Sequence, residues 1–168
     1  MPNDSKPAWR FVSFAETIVE QFPNKAHFWH NRPDMVKDTD LLFVRCRMYP
    51  GQSHKFHRNP KMVEILYVLS GTAEQWVEKE KRVMKAGDSL YLPADVVHGT
   101  YNIGTDNLDF LAILSPAKSE GPGTVDVSEK EPWKSLRPEK ETRTKSTSRI
   151  KIKNKSKSKS HGKKKSES

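Results

Sequence analysis

From Leu41 onward the apolar residues fall into short runs separated by turn signals, with no long 3.6-residue period between them. The first run, Leu41 to Tyr49, alternates: Leu42, Val44, Cys46 and Met48 take one side, Arg45 and Arg47 the other. Alternation of this kind describes a strand with one face buried. Further strands are predicted at residues 54–58, 63–69, 72–78, 82–85, 89–92, 96–103 and 108–114. The breaks between them carry Pro50-Gly51, Asn59-Pro60, Ser70-Gly71, Ala86-Gly87, Pro93-Ala94-Asp95 and Gly104-Thr105-Asp106-Asn107. Many short strands spaced about 8–12 residues apart predict an all-β barrel or sandwich.

The flanks read differently. Phe14, Ile18 and Phe22 recur at helical spacing, so residues 10–22 are expected to form a short helix or a strand-turn, followed by an aromatic-rich loop broken by Pro23 and Pro33. After Pro116 the chain is rich in Pro, Gly and Ser, and Trp133 is the one aromatic expected to pack back onto the barrel. The predicted organisation is an N-terminal cap (1–40), a β-barrel core (41–116), an extended arm (117–136) and a Lys/Ser-rich basic tail (137–168).

Charge sharpens this division. The 168-residue chain carries a net charge of +9. Residues 137–168 hold 13 Lys+Arg against 3 Asp+Glu, so the excess belongs to the tail and the rest is near neutral. Such a tail cannot bury enough apolar surface to offset its chain entropy and is expected to be disordered. Its Lys/Ser alternation predicts weak, non-specific affinity for polyanions, lost at high salt, with no aromatics for base stacking. The single cysteine, Cys46, excludes an intramolecular disulfide. A reducing, cytoplasmic setting follows as the default, because no apolar run reaches membrane-spanning length and the first residues lack a signal-peptide pattern.

Candidate chemistry is concentrated in Pro50 to Gly71. His57 and Asn59 are two apart and so share a face of a strand, Glu64 heads the next strand, and His98 opens a later one. Two imidazoles and one carboxylate match the facial arrangement that holds first-row divalent metals.

These residues also carry a resemblance. Gly51, His57, Asn59, Glu64 and Gly71 fall on the positions of the first cupin motif, with Asn59 in place of its second histidine. Gly87, Pro93, His98 and Asn102 fall on the second motif, with Asp95 in place of a turn glycine. The segment thus resembles the cupin superfamily over roughly residues 41–114. The resemblance implies a double-stranded β-helix, or jelly roll, with a divalent metal inside. His57, Glu64 and His98 carry over as ligands, and iron, manganese, zinc and nickel are all compatible with them. Asn59 stands at the fourth ligand position, where an amide oxygen is a weaker donor for soft metals.

Period-two alternation turns His54 away from His57 unless the strand is irregular. His27 and His30 are read as a lid or packing residues, and Tyr67, Tyr91 and Tyr101 as packing residues. Arg45 and Arg47 are expected on a solvated outer face. The resemblance points to a metal-dependent protein acting on a small molecule and allows dioxygenase, decarboxylase, isomerase and lyase chemistry, with the dioxygenase type favoured by the ligand set. The competing expectation is a non-catalytic sensing barrel with weak or no metal. Pairing of two copies through their sheets is also implied.

Overall fold

The computed structural model describes residues 9–137, so expectations for the basic tail lie outside the described residues. A single 3₁₀ turn, Phe14–Glu16, precedes eleven strands: β1 Ile18–Gln21, β2 Lys25–Asn31, β3 Leu42–Met48, β4 Ser53–Arg58, β5 Val63–Ser70, β6 Thr72–Val77, β7 Glu80–Lys85, β8 Ser89–Leu92, β9 His98–Asn102, β10 Leu108–Ser115 and β11 Val125–Asp126. A one-turn helix, α1, spans Trp133–Leu136. The strands from β3 to β10 fall within a few residues of the predicted ones.

Two antiparallel sheets face each other. One has the order β1-β2-β3-β10-β5-β8 and the other β11-β4-β9-β6-β7. Non-sequential neighbours such as β3-β10-β5 and β4-β9-β6 are the signature of a double-stranded β-helix. The alternation in β3 directs Val44, Cys46 and Met48 inward, where they meet Leu66, Val68, Leu108 and Phe110 in the main core.

The N-terminal region departs from expectation in part. Of the two expectations for residues 10–22 the strand-turn holds: the 3₁₀ turn leads into β1, and Phe14, Ile18 and Phe22 stay substantially exposed. The presumed loop is largely a strand. β2 pairs along β3 with His27 opposite Cys46 and Phe28 opposite Arg45, and β1 extends the sheet by one more strand. Pro23 and Pro33 mislead because they bound the strand instead of interrupting it, which is where proline is tolerated.

A second apolar cluster lies on the opposite side of β4, β6 and β9, where Phe56, Trp76, Val97 and Tyr101 are covered by Val127, with Trp133 and Leu136 packed against them. Trp133 tilts against Phe56 at 5.7 Å between ring centroids, and the Arg137 guanidinium lies 3.7 Å from the Tyr101 ring centre. Arg45 and Arg47 do face outward, yet they are not simply solvated. Both pair with the buried Asp109, at 2.6 and 2.9 Å, and rest on Phe14 and Phe28. Asp109 is held below the usual carboxylate range by these arginines, which outweigh its burial.

Two turn positions tie the motifs to backbone geometry. Gly71 has φ +87°, and a Cβ there would lie 2.7 Å from the Asn107 carbonyl oxygen. Asp95, in the motif's glycine position, takes φ +68° and pairs its carboxylate with Arg58. Aspartate is among the few residues that occupy this region at modest cost.

Candidate metal centre

His57 near the end of β4 pairs directly with His98 at the start of β9. Glu64 enters from the facing sheet, the second residue of β5. One donor atom from each lies within 4.8 Å of the others, and all three residues are buried.

The ring nitrogens are assigned by their backbone partners. His57 Nδ1 lies 2.7 Å from the Lys55 carbonyl oxygen and His98 Nδ1 lies 3.0 Å from that of Val96. A carbonyl only accepts, so each Nδ1 carries the proton and each Nε2 presents a lone pair. His98 Nε2 sits 3.1 Å from Glu64 Oε2, yet this buried atom has no hydrogen-bond partner. Burial, with His98 nearby, holds the His57 imidazole down at about 4, so it is neutral and metal-competent at neutral pH. Two imidazole nitrogens and a carboxylate converge on one buried point, an arrangement that could hold a cation. The donor set therefore fits a divalent metal, as tetrahedral or facial sites with open positions do.

Asn59, expected as a fourth donor, is placed otherwise. Its amide nitrogen donates to Glu64 Oε2 at 2.8 Å, and its oxygen accepts from the Thr124 hydroxyl at 2.9 Å. A carboxylate can only accept, so the NH₂ must face Glu64 and the oxygen turns toward the arm. Asn59 is thus a positioning residue for Glu64, as outer-shell partners commonly are at metal centres.

His54 corrects the alternation argument. The pairing of β4 with β9 shifts register between His54 and His57, and the bulge puts both rings on the interior side. They stack at 3.9 Å between centroids, 22° from parallel. A bulge re-aims side chains in this way and leaves no trace in the spacing. Burial and the neighbouring His57 push the His54 imidazole well below its ordinary value.

His27 forms no second centre with His30. His27 meets Phe22 and Trp29 edge-on, whereas His30 stacks on Phe43. Tyr67 and Tyr91 are exposed, and Tyr101 is buried under the arm. Gln75 accepts from the Thr100 hydroxyl at 2.7 Å inside the barrel. It also lines a cleft of about 560 Å³ with Val77, Met84 and Leu90 at the edges of β7 and β8. None of the three metal donors lines that cleft, so the donor geometry, not the cleft, locates the site.

The fold is thus a two-sheet jelly roll enclosing a buried His/Glu/His group that could hold a metal. The model of the cupin domain matches residues 44–114. Over that segment the chain is similar to the cupin family in sequence, and its two-sheet fold is that of the similar solved structures. Comparison with curated proteins finds no match. Among solved structures, KdgF from Halomonas sp. is similar at 24% identity and a TM-score of 0.56, covering 64% of this chain and 94% of that one. A predicted oxalate decarboxylase from Thermotoga maritima is similar at 23% identity and a TM-score of 0.58, covering 64% and 99%. A mutant of the oxalate decarboxylase OxdC from Bacillus subtilis is similar at 19% identity and a TM-score of 0.60. That match covers 70% of this chain and about a third of the larger enzyme, 32%. At these identities the likeness is one of fold.

Proposed function

We propose that this chain is a metal-dependent cupin that binds a divalent cation through His57 Nε2, Glu64 and His98 Nε2 and acts on a small molecule beside it. The observation that carries this reading is the orphaned, buried Nε2 of His98 aimed at the Glu64 carboxylate. A bound cation supplies Lewis acidity and open coordination positions, the ground for dioxygenase-type chemistry with iron as the leading metal. The chain's own residues do the rest. The Lys55 and Val96 carbonyls fix both imidazole tautomers, Asn59 aims Glu64, and the stacked His54 ring backs His57. The absence of a fourth donor at Asn59 favours a second reading, a sensing barrel that holds a ligand without turnover.

Metal analysis of full-length protein purified without chelator, beside His98→Ala, tests the proposal. Near-stoichiometric metal in the parent and its loss in the variant are expected. Less than about 0.1 equivalent in the parent would overturn the metal reading altogether.

Pairing of two copies belongs to the same proposal, supported by Ile65, Tyr67 and Tyr91, which stand exposed on the outer face of β5 and β8. Sedimentation of the parent beside Tyr91→Lys reports on it, a dimer shifting to monomer being the expected outcome. Polyanion binding by residues 137–168 is proposed from composition alone. Unchanged nucleic-acid retention at about 50 mM salt after deleting them would end that idea.

A further inference from the structure

On one side of the molecule the two sheets end in strands that do not pair with each other: β8 ends the first sheet and β7 the second. The sandwich is therefore open along this side, and the gap is the cleft of about 560 Å³, an ordinary size for a small-molecule site. Val77 and Gln75 on its inner wall stand opposite His98 and Thr100 on β9, and Leu90 stands opposite Leu66 on β5. Opposed residues share a face, and Leu66 belongs to the main core, so these side chains point between the sheets. Met84 is buried there, whereas Val77 and Leu90 are only partly covered, which leaves apolar surface facing the gap.

Gln75 is the polar group at depth. Its nitrogen donates to the Trp76 carbonyl at 3.0 Å, and its oxygen accepts from the Thr100 hydroxyl at 2.7 Å. A carbonyl only accepts, so the amide orientation is set, and one of its two N–H groups has no partner among the described residues. Gln75 is 4% exposed, so this donor is short of water as well as of protein partners, and an unmet donor is costly.

The mouth selects by charge. Arg82, the cation of the lining, is held by Glu80 at 2.7 Å, while the Asp88 carboxylate accepts from the Lys85 amide. Two carboxylates against one guanidinium leave the mouth negative, which disfavours an anion. Glu80, Lys81, Arg82 and Lys85 also put charges along the free edge of β7, and charges there oppose the addition of a strand from another chain. These features favour a small molecule over a peptide.

We infer that the β7–β8 cleft binds a small uncharged aromatic molecule whose carbonyl or hydroxyl oxygen meets the Gln75 amide. The Met84 thioether supplies a sulfur–aromatic contact for the ring. His57, Glu64 and His98 do not line the cleft, so the inference is independent of the metal reading.

The test titrates full-length protein, as purified and after chelation, with acetophenone and benzyl alcohol by ligand-observed NMR. Toluene is the analogue without oxygen, and benzoate and benzylamine are the charged ones. Saturable binding of an oxygenated ligand at millimolar concentration or below is expected, unchanged by chelation, with both charged analogues at least about tenfold weaker. Gln75→Met keeps the side-chain length and should weaken the oxygenated ligand about fivefold while leaving toluene unchanged. It also strands the Thr100 hydroxyl, so Val83→Trp, at an exposed position lining the same cleft, is the second variant and should block every neutral ligand. The inference is overturned if neither oxygenated ligand saturates, if a charged analogue binds as tightly, or if either folded variant binds like the parent. Loss of binding on chelation, with the fold retained, would also overturn it by assigning the ligand to the His/Glu/His group. Failure of the metal reading is seen separately, as absent metal in the parent.

Discussion

Replacing Asn59 with alanine removes an amide that holds Glu64 from one side and Thr124 from the other. The bond to Glu64 is short, buried and charge-assisted. Bonds to a charged partner contribute about 1.5–3 kcal/mol, and a neutral one about 1 kcal/mol. The Thr124 hydroxyl is only partly buried and recovers much of its loss from water. A destabilisation of about 2–4 kcal/mol is expected for Asn59→Ala, most of it from Glu64. Thr124→Val, which removes the second bond alone, should cost about 1 kcal/mol, and the two changes should be less than additive because they share one amide. Freed from Asn59, the carboxylate is no longer aimed at His57 and His98, so metal affinity should fall about 10–100-fold. Urea unfolding of metal-free protein gives the first pair of numbers, and competition with a chromophoric chelator gives the second. Asn59→Ala that binds metal as tightly as the parent would refute the positioning role. A loss in Thr124→Val as large as in Asn59→Ala would show instead that the arm, not the amide, controls the site.

Three other outcomes follow from the same geometry. His27 is held neutral by burial, with Lys25 adding to the effect, down to about 4. The unfolded imidazole takes up a proton near 6.5 and the folded one does not, so its contribution to stability is full above pH 6.5 and is lost as pH falls toward 4. Allowing for partial exposure this amounts to about 2 kcal/mol, and His27→Phe should flatten that part of a stability-pH curve measured by urea unfolding. Gly71→Ala combines positive φ with a Cβ 2.7 Å from the Asn107 carbonyl oxygen, and a melting curve should show a loss of at least about 2 kcal/mol. Ending the chain after Pro116 uncovers Phe56, Trp76 and Tyr101, which should cost on the order of 5 kcal/mol and appear as aggregation or dye binding.

The barrel was legible because its information is local. Period-two runs such as Leu42-Val44-Cys46-Met48 and the Gly/Pro/Asn breaks each mark one strand, and the structure places those strands where the runs lie. That His57, Glu64 and His98 come together was legible because both motifs hold to a fixed spacing that the register converts into proximity. What escaped is non-local. β2 becomes a strand because β3 offers it an edge, and its own polar-aromatic mixture does not demand one. Lys25, His27 and Trp29 do alternate, and that was the available signal for an interior face. His54 faces inward only through a bulge that the pairing with β9 imposes. Asn59 turns on Thr124, 65 residues away, a partner that no local spacing can announce.

That last contact has a consequence for how the chain can be cut and recombined. The cupin match ends at residue 114, and Thr124 lies beyond it. The donors come from inside the matched segment, whereas the hydroxyl that completes the alignment of Glu64 comes from outside. A chimera joined at residue 114 would inherit every ligand and still carry a different centre. On the metal reading proposed above, arms grafted from other barrels would act as tuning elements, resetting cation affinity without altering any of the three donor side chains. The transferable unit is the stretch through Arg137, where the guanidinium on Tyr101 closes the arm over the sheet.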